Sequence, residues 1–230
     1  MWADVGLVVG AYLYGSIPFV WWMAKLKGVD LRRDSLGSVS TTSLYHSSGL
    51  PLAILGGLGD LSKGILPVVI GYYVLDFRLA IVCLAGFVAI LGQNWPIFLK
   101  FCGGRGASVS LGVAFALALV PTFIALIPFL GGMVWRTSHG KRQQIEGTPS
   151  RIVPLGMLAS FAILPLIAWL WGEPQAIILT FVGILLLVVI RRLTADLGRE
   201  LREKPEGVSL PEMLLNRFLY DRSERDRYRR

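Results

Sequence analysis

Seven apolar runs divide this chain, at residues 5–23, 50–75, 78–99, 107–120, 122–135, 152–171 and 176–190. Most approach the ~20 residues that an α-helix needs to cross a hydrocarbon core ~30 Å thick. Backbone inside lipid must satisfy its own N–H and C=O groups, which leaves helices or a closed barrel. Barrel strands alternate apolar and polar residues, and these runs do not alternate. The chain therefore reads as an all-α integral membrane protein of about seven transmembrane helices. Its composition agrees, with 54% hydrophobic and only 17% charged residues, where globular domains carry ~25% charged.

Charge placement fixes the expected topology. The 107–135 stretch, divided by Pro121, reads as one long kinked helix or as two short spans. With two spans there and the N-terminus outside, the segments at 25–49, 100–106, 136–151 and everything from Arg191 on fall inside and hold 21 of the 23 Lys and Arg residues. Six spans would send the early segment or the tail outside, against the positive-inside tendency. The C-terminus is then cytoplasmic, residues 1–195 form the membrane domain and 196–230 a basic cytoplasmic tail, read from Glu200 on as a membrane-surface or solvated segment. The first run follows no basic leader or small-residue cleavage site and reads as a retained span. The net charge of +8 follows this topology, so it does not indicate nucleic acid. Cys83 and Cys102 support neither a disulfide framework nor a metal site.

Three features carry chemistry. Residues 92–106 end an apolar run with Gly92, Gln93, Asn94, Trp95 and Pro96, then turn through Cys102, Gly103, Gly104, Arg105 and Gly106. Glycines let backbone amides converge on an anion, and a guanidinium adds a two-pronged phosphate contact. Alone, such a run is only a tight turn with an interfacial cation. Asp60 and Lys63 are three apart on one helical face inside a span and can pair. An ionisable pair at that depth belongs in the bundle interior or a wet cavity, as part of a site or as a structural pair orienting helices. Ser38 and Ser43 belong to a small polar run, Arg32 and Arg33 precede it, and Arg151 opens the sixth span. All of these except the Asp60–Lys63 pair fall on the predicted cytoplasmic face, with Lys63 close by. Hydroxyls, free amides and cations converging at a membrane surface suit a phosphorylated small molecule, with an acyl-chain partner entering laterally from the bilayer. Trp95 reads as an interfacial anchor.

Tyr14-Gly15-Ser16-Ile17-Pro18-Phe19, Gly28-Val29-Asp30-Leu31-Arg32, Gly59-Asp60-Leu61-Ser62-Lys63-Gly64 and the 92–106 block occur in this order over about residues 10–200. In that order and spacing they resemble the bacterial acyl-phosphate:glycerol-3-phosphate acyltransferases, seven-span enzymes of the bacterial cell membrane. The resemblance implies acyl transfer from acyl phosphate to the first hydroxyl of glycerol 3-phosphate, giving lysophosphatidate for phospholipid biosynthesis. It implies no cofactor, no metal and no acyl-CoA. The site it implies has Gln93 and Arg105 in the catalytic positions. Substrate binding would fall to Arg32, Ser38, Ser43, His46, Asp60, Lys63, Gly103, Gly104, Gly106, Arg151 and Asp196.

The departures from the family pattern are concentrated on polar positions. The family's Ser-Gly-Asn to Ala-Thr-Asn run aligns with residues 36–43, where the serine and both asparagines are replaced, and His46 stands for an arginine. Gln93 replaces a histidine and cannot act as a base near neutral pH. Cys102 and Arg105 replace two lysines, and Pro154 ends what is an Arg-x-x-Ser signature. Residues 138–150, with His139, read as an unfamiliar loop insertion. Leu193 and Asp196 replace a histidine and an asparagine, and a carboxylate at Asp196 repels phosphate. Each lost hydrogen bond to a charged oxygen removes ~1.5–3 kcal/mol. Two readings follow: an acyltransferase, on the same or an altered acceptor, or a non-catalytic relative that binds lipid or regulates a true acyltransferase. A transporter fits less well, because no inverted repeat is visible.

Overall fold

The computed structural model describes residues 2–31, 40–143, 152–195, 197 and 209–220. Every regular element among these is helical. The first apolar run breaks where glycine and proline sit: α1 (Trp2–Gly15) stops, and α2 (Phe19–Lys25) restarts after Pro18. The small polar run becomes α3 (Thr41–Ser48), whose first turn is capped by Ser40 accepting from the Ser43 amide at 3.2 Å. Then come α4 (Leu50–Val69), ending in a π turn at Ile70–Val74, and α5 (Leu79–Asn94), followed by a 3₁₀ turn at Ile97–Leu99. The remaining helices are α6 (Ala107–Leu117), α7 (Leu119–Ala125), α8 (Ile127–Gln143), α9 (Ile152–Trp171), α10 (Gln175–Thr194) and α11 (Leu210–Tyr220).

Five stretches of the described chain are long and apolar enough to cross a membrane: Trp2–Lys25, Leu50–Val74, Leu79–Leu99, Ile152–Trp171 and Gln175–Thr194. Ala107–Leu117 and Leu119–Trp135 are shorter apolar helices. The sequence places the division between them at Pro121, but the backbone breaks at Ala118 (φ −150°, ψ 84°). Pro121 lies in the first turn of α7, where a missing N–H removes no helical bond. Helix α8 also runs past the end of its apolar run, through residues 138–143, where the sequence suggests an exposed loop.

Lipid offers no hydrophobic drive between helices, so the bundle is held by close packing. Helix α5 is the most enclosed of the long helices. Val82, Ala85, Ala89 and Ile90 on it are buried, in one cluster with Val68 of α4, Val109 and Val113 of α6, Phe161 of α9, and Phe181 and Ile184 of α10. The α4–α6 crossing is tightest. A Cβ on Gly64 would lie 2.1 Å from the Val109 carbonyl oxygen, and one on Gly112 2.2 Å from that of Leu61. Only glycine permits that approach, and it seats the start of α6 against the middle of α4. Leu55, Leu58, Leu166, Leu170, Leu179 and Leu186 point outward and are more than half exposed, as a lipid-facing surface requires.

Helix α11 packs on α9 and α10, with Met213 fully buried. Two arginines cap each other's helices. Arg192 of α10 donates to the Arg217 and Leu219 carbonyls, both at 3.4 Å. Arg217 of α11 donates to the carbonyls of Leu193 and Ala195. Guanidinium groups at helix C-termini satisfy carbonyls that have no helical partner. This part of the tail is therefore docked rather than solvated.

Candidate active site

Four helix ends converge at one end of the bundle: the C-termini of α1, α5 and α10 and the N-terminus of α6. Tyr12 of α1 donates to the Trp95 carbonyl at the end of α5 (2.8 Å). Arg191 of α10 donates to the carbonyls of Gly103 and Gly104, just before α6 (3.1 and 2.8 Å). The charge bias in the sequence places these same ends on one side of the membrane.

Asp60 and Lys63 do pair, at 2.7 Å between Oδ1 and Nζ. Gln93 closes the pair into a ring: it donates to Asp60 Oδ2 at 2.9 Å and accepts from Lys63 at 2.5 Å. Lys63 is fully buried, Asp60 is 3% exposed and Gln93 9%. The ammonium also lies 5.3 Å from the Phe19 ring centre, within range of a cation–π attraction. A buried charge must be matched and hydrogen-bonded, and this ring does both for Lys63, which is fully enclosed. Nearby, Tyr14 and Ser62 share a hydrogen bond of 2.9 Å.

The glycine loop is clamped against this network. The Gly104 amide donates to the Gln93 carbonyl at 3.2 Å. A Cβ on Gly103 would lie 2.3 Å from that same carbonyl oxygen, so no other residue fits there. Gly106 takes φ +75° and begins α6 without a side-chain cap. The first amides of α6 thus have no intrahelical acceptor, which is the usual setting for an anion. Arg105 is half-buried on the loop. A small cavity lies between the two parts, lined by Ser16, Pro18, Asp60, Gln93, Pro96, Gly103 and Gly104. Beneath the loop Asn94 is fully buried, and its carboxamide has no hydrogen-bond partner among the described residues.

Beside α4 a second, open groove of about 500 Å³ has almost wholly apolar walls. Thr41, Thr42 and Tyr45 of α3, Leu50, Ile54 and Leu58 of α4, and Leu111 of α6 line it.

The structure thus brings together Asp60, Lys63, Gln93, Gly103, Gly104, Arg105 and Gly106. Ser43 is buried in the α3 cap, sharing a hydrogen bond of 2.9 Å with Ser40. His46 is exposed on α3, edge-on to Tyr45. Arg32, Ser38, Arg151 and Asp196 lie outside the described residues. Sequence reasoning missed Arg191, Asn94 and the groove. Trp95, at the end of α5, is partly buried against the core with the Arg191 guanidinium 5.0 Å over its ring, while Ile97, Phe98 and Phe101 are exposed apolar residues of the turn that follows. Among the described residues, no group of three His, Cys, Asp or Glu side chains is placed to hold a metal.

The sequence profile of the glycerol-3-phosphate acyltransferase family matches residues 5–203. A glycerol-3-phosphate acyltransferase of Dehalococcoides mccartyi (strain CBDB1) is 32% identical over 224 residues, spanning 96% of this chain and 90% of the relative. One from Syntrophomonas wolfei subsp. wolfei is 32% identical over 188 residues, 81% and 87% of the two chains. Among solved structures the fold is similar to the glycerol 3-phosphate form of PlsY, an integral membrane glycerol 3-phosphate acyltransferase. That match has a TM-score of 0.72 and 27% identity, over 92% of this chain and 98% of that one.

Proposed function

This chain belongs to the glycerol-3-phosphate acyltransferase family, and on that premise we propose that it moves an acyl group from acyl phosphate to the first hydroxyl of glycerol 3-phosphate. The hydroxyl oxygen attacks the acyl carbon, the carbon–oxygen bond to phosphate breaks, and inorganic phosphate leaves with the hydroxyl proton. The product is lysophosphatidate. The crystallised relative named in complex with glycerol 3-phosphate, and its lysophosphatidic acid form, support this choice of acceptor and product.

The observation that carries the reading is the buried Asp60–Lys63–Gln93 ring lying directly against the glycine–arginine loop. Acyl phosphate is already activated, so the protein's task is to position two phosphorylated substrates and stabilise charge as the hydroxyl attacks. Arg105 and the amides opening α6 hold phosphate oxygens, and Lys63 supplies fixed positive charge behind them. Gln93 orients Lys63 and is no general base. The apolar groove along α4 receives the acyl chain from the bilayer. Arg32, Ser38, Ser43, His46, Arg151 and Asp196 belong to the same site, on the cytoplasmic face of a bacterial plasma membrane. The topology has seven spans with the N-terminus outside, and residues 196–230 form a cytoplasmic tail.

One observation favours a second reading, an altered acceptor or a non-catalytic lipid binder. Gln93 commits its carboxamide to Asp60 and Lys63, where the family's pattern has a histidine. The test is acyl transfer by purified protein in nanodiscs, with acyl phosphate and radiolabelled glycerol 3-phosphate. Lysophosphatidate should form, and an Arg105→Ala protein should make none. A folded protein that gives no turnover overturns the first reading in favour of the second.

A further inference from the structure

Arg191 occupies the last turn of α10, where sequence reasoning sees only a cation flanking a span. Yet it is 7% exposed and reaches across to the glycine loop. One of its terminal nitrogens donates to two successive carbonyls, those of Gly103 and Gly104. Its guanidinium carbon lies 5.0 Å over the centre of the Trp95 ring, and the Trp95 carbonyl is itself held by Tyr12. The aim of the guanidinium is therefore fixed by a stacking surface that is in turn fixed by α1.

Two held carbonyls dictate where two amides point. The peptides here are trans, and in a trans peptide the C=O and the next N–H point opposite ways. With both carbonyls turned to Arg191, the Gly104 and Arg105 amides turn away from it. The Gly104 amide accordingly ends on the Gln93 carbonyl. Glycine has no preferred backbone shape of its own, so the loop needs an outside grip to keep such an arrangement before any anion arrives.

We propose that Arg191 is a positioning residue: it sets the backbone of the Gly103–Gly106 loop in its anion-binding shape and so controls affinity for the phosphorylated substrate. This rests on the loop being the phosphate site assigned above. A preorganised loop binds without a further ordering cost, so its release acts on KM more than on kcat.

The test uses full-length Arg191→Gln and Arg191→Lys proteins in nanodiscs, with two readouts. The first is kinetics, where both variants should raise KM for glycerol 3-phosphate or acyl phosphate at least tenfold and keep kcat within about threefold. Lysine keeps the charge but lacks the planar face that stacks on Trp95. A lysine variant with wild-type KM would therefore mean that charge alone matters, and would overturn the positioning role. The second readout needs no activity. Cys102 is exposed and adjoins the loop, while Cys83 is buried, so the rate of maleimide labelling at Cys102 reports loop freedom. Labelling should quicken several-fold in both variants, with an unchanged thermal midpoint confirming the fold. Unchanged labelling overturns the proposal whether or not the wild type is active. Quickened labelling in the variants, where the wild type itself gives no turnover, upholds the latch and refutes the acyl-transfer reading instead.

Discussion

Replacing Lys63 by methionine is the most informative single perturbation. It removes the ammonium that donates to Asp60 at 2.7 Å and to Gln93 at 2.5 Å, and leaves a carboxylate that is 3% exposed with only the Gln93 amide facing it. Breaking one member of a buried ion pair costs about 3–5 kcal/mol, because the surviving charge is left buried without its counter-charge. Protonation of Asp60 limits the loss, so the lower end is the expectation. The double variant Asp60→Asn/Lys63→Met should recover at least half of it. It buries no charge, and the carboxamide that replaces the Asp60 carboxylate can exchange two hydrogen bonds with Gln93. The assay is equilibrium unfolding in mixed micelles across this double-mutant cycle, with acyl transfer measured on the same preparations. Stability restored while activity stays lost assigns the Asp60–Lys63 pair to the chemistry. Stability and activity restored together would make the pair purely structural. A single variant that loses less than about 1 kcal/mol would refute the premise that the ring is buried and interdependent.

Three further outcomes are expected. Gly106→Ala forces a side chain into φ +75°, with its Cβ 2.5 Å from the Asn94 side-chain oxygen. The backbone term alone costs about 1–2 kcal/mol, so acyl transfer should fall at least tenfold in a protein that still purifies intact, and near-normal rates would refute the loop assignment. Ile54→Trp fills the open groove beside α4. Rates measured across acyl phosphates of increasing length should fall for the long chains and hold for the short ones, while a uniform change would place the acyl chain elsewhere. Arg217→Ala removes the donor to the Leu193 and Ala195 carbonyls; hydrogen bonds to charged groups contribute about 1.5–3 kcal/mol each. Limited proteolysis should then clip α11 away much faster than in the wild type, and equal rates would show that Met213 and the Arg192 contacts hold it without Arg217.

What was legible in the sequence was whatever leaves a local trace. Apolar runs announce helices in lipid, and Asp60 and Lys63 announce their pairing by three-residue spacing within one helix. The glycine–arginine run announces a bare loop. Features that arise between helices left no such trace. Gln93 is 30 residues from Lys63, and only the placement of α5 against α4 makes its carboxamide the third member of the ring. Arg191 is harder still, because its partners are backbone carbonyls, which every sequence has. The break at Ala118 was hidden by Pro121, a residue that fits a helix start as readily as it ends one. Trp95 meets the composition rule for an interfacial anchor, but nothing in its sequence neighbourhood shows that its carbonyl takes a bond from Tyr12 and its ring the Arg191 guanidinium.

The same contrast bears on the replaced family residues. Substitution of a histidine by Gln93 reads in sequence as loss of a titratable group. In the fold it is a neutral donor and acceptor that fits between a carboxylate and an ammonium, where an imidazolium would set a second cation against Lys63. The buried ring carries one charge of each sign, and a neutral third member keeps it balanced. Gln93→His should therefore restore the family's residue at a cost to stability that grows as pH falls and the imidazole charges. A midpoint of unfolding that is flat between pH 8 and 5.5, relative to the wild type, would show that the ring has room or water enough to accept the extra charge.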